Sequence, residues 1–78
     1  MTAYENIITQ KIYEIIAPYL GDLMAKGAIR SQCKKAGLDE TKIQRHDLPV
    51  IAQNLAKAMN LFVGAENAQM LANKIKAL

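Results

Sequence analysis

Residues 20–37 read LGDLMAKGAIRSQCKKAG, running from Leu20 through Lys26, Gly27 and Arg30 to Cys33 and Gly37. At roughly 100° per residue, Leu20, Met24, Gly27, Ala28 and Ser31 fall on one side of a helix, and Ala25, Ile29, Cys33 and Ala36 on nearly the opposite one. A surface helix needs one apolar stripe, so a helix with two must be covered from two directions. Between these faces Lys26, Arg30 and Lys34 follow at i, i+4 and i+8, a cationic seam left for water or an acidic partner. The side chains on the apolar sides are mostly small, which lets other helices come close. The stretch is therefore predicted to be the central helix, helix 2, of a small all-α domain with a four-helix, bundle-like architecture.

The flanking sequence supplies the other three helices. Toward the N-terminus, Tyr4, Ile8, Ile12, Ile15, Ile16 and Tyr19 form one apolar stripe, with Glu5, Asn6, Thr9, Gln10 and Glu14 mostly away from it. Thr2 followed by Glu5 has the spacing of a capping box and predicts where this helix starts. Pro18 should interrupt it, because its ring meets the carbonyl of Glu14 and it has no N–H to donate. A corner is expected over residues 17–22, with Asp22 capping the helix that follows. Gly37 suits the left-handed residue that ends helix 2, and Leu38 would anchor the exit. Asp39, Glu40 and Thr41 read as a short turn carrying Ile43 inward.

Asp47 is expected to cap a third helix that holds Pro49 in its first turn, where a missing N–H costs little. Leu48, Ile51, Ala52, Leu55, Ala58, Met59 and Phe62 trace its buried side, and Gln53, Asn54, Lys57 and Asn60 face outward. Gly64 closes it. A fourth helix from Ala65 onward buries Ala68, Leu71, Ala72, Ile75 and Leu78. Its Glu66 and its Lys74 and Lys76 suit the two ends of the helix dipole.

The 78 residues make one domain, 1–78, near the lower limit at which a core suffices without staples. Apolar residues form 51% of the chain, which is enough for a packed core and argues against disorder. The net charge of +3 is uneven. From Lys26 to Arg45 there are six basic residues, Lys26, Arg30, Lys34, Lys35, Lys42 and Arg45, against the two acids Asp39 and Glu40. A single cysteine, Cys33, excludes an intrachain disulfide and fits a reducing compartment. With no leader pattern at the N-terminus and no long apolar run, a cytoplasmic location is expected.

No residue pattern amounts to a catalytic or ligand signature. One His and one Cys give no metal-ligand spacing, and none of the dispersed glycines builds a phosphate-cradling loop, so no metal or cofactor is expected. Cys33 could be activated by Arg30 and Lys34, but it lies mid-helix on an apolar side and packs there. His46 sits before a helix start, and the carboxylates offer no acid–base pair. An enzyme is not expected. Gly27 is informative, because mid-helix it costs roughly 1 kcal/mol against Ala and suggests close contact with another helix. The expected role is protein–protein contact through Lys26, Gly27, Arg30, Ser31 and Lys34, with a second copy of the chain, a homodimer, as the first partner or a regulatory role as a small subunit. The alternative is nucleic-acid binding by the same cations with Lys35, Lys42 and Arg45.

Leu20-Gly21 followed by Met24-Ala25, then Asp47-Leu48, Ala52-x-x-Leu55 and Phe62-Val63-Gly64, resembles short helical accessory domains appended to bacterial protein kinases and other signalling proteins. In those domains the glycine is typically followed by proline, whereas here Asp22 follows. The resemblance spans residues 17–64. It implies a non-catalytic accessory or interaction module and assigns no binding residues.

Overall fold

The protein, a computed structural model, is described over residues 3–78. It is an all-α domain of four helices: α1 (Ile7–Leu20), α2 (Asp22–Lys35), α3 (Leu48–Val63) and α4 (Ala65–Lys76). A 3-10 turn, Arg45–Asp47, leads into α3.

α1 starts later than the spacing of Thr2 and Glu5 predicts. Thr2 lies outside the described residues, and the cap is Asn6, whose Oδ1 accepts from the Thr9 backbone N–H at 2.9 Å. The same side chain reaches the loop before α3, donating from Nδ2 to the Ile43 carbonyl at 3.1 Å. Thr9, expected on the outer side, is fully buried and donates its hydroxyl to the Glu40 carbonyl at 2.7 Å. A buried hydroxyl is tolerable only with such a partner.

Pro18 does not break α1, which runs on to Leu20. The carbonyl deprived of a donor belongs to Glu14, an exposed position where water can replace the missing N–H. The corner instead falls on Gly21, with φ 85°. Its N–H donates to Ala17 O at 2.8 Å and its own carbonyl accepts from Ala25 N at 2.9 Å, so one residue ends α1 and starts α2. Gly64, with φ 86°, makes the same one-residue joint between α3 and α4, bonded to Asn60 and Ala68. A backbone turned this far into positive φ is open to glycine without strain.

α2 ends as the sequence suggests. Leu38 N–H donates to Cys33 O at 2.8 Å and Gly37 N–H to Lys34 O at 3.1 Å, the two bonds of a Schellman ending. Asp39 Oδ1 then accepts from the Thr41 backbone at 2.8 Å and from its hydroxyl, and this turn delivers Ile43 to the core, 3% exposed. Asp47 turns its carboxylate back onto the Gln44 N–H at 2.9 Å, at the start of the 3-10 turn.

The core is built from Ile12 and Ile16 of α1, Ala25, Ile29 and Cys33 of α2, Ile43, and two continuous stripes. These are Leu48, Ile51, Ala52, Leu55 and Met59 on α3, and Ala68, Leu71, Ala72 and Ile75 on α4. α1 and α3 each pack on all three other helices, whereas α2 packs chiefly on α1 and α3. The central position and two-sided covering expected for α2 are therefore not met. Ala25, Ile29, Gln32 and Cys33 are buried, while Gly27 and Ser31 are exposed and Met24 is half-exposed. The physical reason is area: Gly27, Ala28 and Ser31 offer too little apolar surface to compete with the Ile and Leu stripes for a covering helix. Phe62 is a second correction. It shares the phase of the α3 stripe but is 64% exposed, because it lies near the end of the helix, beyond the last fully covered position at Met59.

Candidate interaction face on α2 and α3

The residues singled out on α2 do come together, on the exterior. Lys26 pairs with Asp22 one turn earlier, Nζ to Oδ1 at 3.3 Å, and lies 6.0 Å from the Tyr13 ring centre. Tyr13 donates its hydroxyl to the same Asp22. That hydrogen bond, followed by the one from Lys26, holds the Asp22 carboxyl below the usual carboxylate range. Arg30 pairs through Nε with Glu40 at 3.3 Å, across to the loop. Two of the three seam cations thus have carboxylate partners. Lys34 is exposed and has no ion-pair partner among the described residues, and the same holds for its neighbour Lys35.

Gly27 and Ser31 stand at the lip of a groove between α2 and α3. Leu20, Met24, Ala28 and Gln32 continue its wall from one side and Ala58, Met59 and Phe62 from the other, enclosing about 260 Å³. None of these lining residues is charged. Two large apolar side chains of this lining are exposed, Phe62 at 64% and Met24 at 45%, and Leu23 at 83% and Leu61 at 93% are exposed elsewhere on the same two helices. Large apolar side chains scattered singly need no explanation, but two that line one groove do. Leu23, Leu61 and the exposure of Phe62 escape a sequence reading. The one available signal is phase, since Leu23 falls beside Arg30 and Leu61 beside Lys57, off the buried stripes.

A Cβ built on Gly27 meets nothing within 4 Å. Close packing inside the chain is therefore not the reason for this glycine. Gly27→Ala is expected to raise the unfolding free energy by about 0.5–1 kcal/mol, through helix propensity alone. Urea melts of the two proteins measure it, and a loss of stability would show that the position is enclosed.

The two other residues weighed for chemistry, Cys33 and His46, are not among the residues that line this groove. Cys33 is 1% exposed, and burial, with the charges of Glu40, Asp47 and Asp39 adding to it, pushes its thiol up to about 11. The thiol is neutral at neutral pH and packs within the core. His46 is exposed and paired with Asp47 at 3.3 Å. Among the described residues no three His, Cys, Asp or Glu side chains are placed to hold a metal ion, and no helix is long and apolar enough to cross a membrane. Comparison of the chain with protein-family models, curated proteins and solved structures finds no match.

Proposed function

We propose that this protein is a non-catalytic interaction module that binds another protein through the α2–α3 face. The observation that carries this reading is the uncharged groove lined by Met24, Ala28, Met59 and Phe62, which the chain itself leaves uncovered. Such an apolar centre with a polar rim is what a protein partner buries. The resemblance to accessory domains of bacterial kinases and signalling proteins agrees with a regulatory, non-catalytic role. A homodimer, in which a second copy presents the same apolar residues, and a complex with a different protein are the two forms that this reading takes. Nucleic-acid binding is less well supported, since Asp22 and Glu40 already occupy Lys26 and Arg30.

A photo-crosslinking residue placed at Met24, in the lining of the groove, and at Gln53, on the outer side of α3, tests the proposal in cells that express the protein. Protein adducts from position 24 and few from 53 are expected. An adduct of twice the chain mass identifies the homodimer. Equal adducts from both positions, or none from either, would remove the α2–α3 face as the contact surface.

A further inference from the structure

Resting on the interaction reading, we infer that the α2–α3 groove receives an acidic amphipathic helix from a different protein. Three features of the face lead there.

The first is shape and backbone. The groove lies between two helices and no strand occurs among the described residues, so there is no sheet edge to which an extended peptide could add. A gap between helices is filled by the apolar ridge of a third. Met24, Ala28, Met59 and Phe62 form the surface against which that ridge rests.

The second is charge. Lys34 and Lys35 follow Ser31 by three and four residues, so they prolong the groove's α2 lip by one turn. Both are exposed and have no ion-pair partner among the described residues. The other two cations of α2, Lys26 and Arg30, are already paired with Asp22 and Glu40, so Lys34 and Lys35 are the uncompensated charges of this helix. An apolar floor bordered by uncompensated lysines is complementary to a helix with an apolar stripe flanked by Glu or Asp.

The third follows from symmetry. A second copy docking through this face would bring its own excess of cations against the first, and like charges across an interface are unfavourable. A phosphate backbone would use the lysines but leave the uncharged floor unfilled.

The test uses three short helical peptides and the isotope-labelled protein, followed by amide NMR. Two peptides share leucines at i, i+3, i+4 and i+7 and differ only in flanks of Glu or Lys; the third has Glu flanks and a scrambled leucine pattern. The Glu-flanked amphipathic peptide is expected to shift the amides of Met24, Ala28, Lys35 and Phe62. It should bind about fivefold more tightly than the Lys-flanked one, which is what two exposed ion pairs supply together. The preference should shrink with added salt and reverse in the double variant Lys34→Glu/Lys35→Glu, whose fold the same spectra verify. Equal binding of the Glu- and Lys-flanked peptides would overturn the inference, as would shifts centred elsewhere, equal binding of the scrambled peptide, or no binding at all. So would tighter binding of a duplex oligonucleotide, or a dimer of the free protein that the Glu-flanked peptide cannot dissociate. If crosslinking from Met24 succeeds while the peptides show no charge preference, the interaction face stands and its acidic partner falls.

Discussion

Leu55→Ala is expected to lower the unfolding free energy by about 2–5 kcal/mol, whereas Phe62→Ala is expected to cost about 1 kcal/mol or less. The two residues are seven apart on α3 and share one side of the helix, so hydrophobic phase alone would assign them similar losses. The structure separates them: Leu55 is fully buried in the core, and Phe62 is 64% exposed. Truncating Leu55 removes apolar contact and leaves a cavity in a close-packed centre. Truncating Phe62 removes surface that water already reaches. Denaturant melts of both variants, with unchanged slopes, check the difference. Equal losses would put Phe62 back in the core and remove it from the interaction face. Retained stability combined with lost peptide binding or crosslinking in Phe62→Ala is the pattern expected of a contact residue.

Asn6→Ala is expected to destabilise by about 1.5–3 kcal/mol, more than loss of a helix cap alone. One amide does two jobs here. Its oxygen caps α1 through the Thr9 N–H, and its nitrogen holds the Ile43 carbonyl at 3.1 Å, with Thr41 O at 3.4 Å. The second job fixes the loop that seats Ile43 between the helices. Asn6→Asp separates them, because a carboxylate still caps the helix but meets the two loop carbonyls with an acceptor in place of a donor. It is expected to keep the helix start and still lose stability. Amide hydrogen exchange should then show weaker protection over residues 41–47 in both variants. A loss confined to the first turn of α1, with the loop unaffected, would reduce Asn6 to an ordinary cap.

The face on α2 and α3 gains meaning from what the core leaves over. α3 and α4 each commit a continuous apolar stripe to the interior and α1 commits Ile12 and Ile16, while α2 commits Ala25, Ile29 and Cys33, with Gln32 at the edge. That commitment leaves Met24, Gly27 and Ala28 beside an unfilled groove.

Much of this was legible in the sequence by itself. Local rules were sufficient for the helical class, for the buried residues Ile12, Ile16, Ile29, Leu55 and Leu71, for the α2 ending at Gly37, and for Gly64 as the close of α3. Each depends on periodicity or on a backbone conformation that one residue type favours, and neither needs knowledge of distant neighbours. Tertiary structure alone decided the rest. Thr9 is buried and Asn6 spans to Ile43 because a loop more than thirty residues away lies across them. α1 passes through Pro18 because the orphaned carbonyl faces outward. α2 lost one of its two coverings, and Phe62 its place in the core, because a helical phase states which side a residue occupies and not whether anything packs there. The groove follows from that last distinction: its lining comes from residues far apart in sequence, brought together only when α2 and α3 pack.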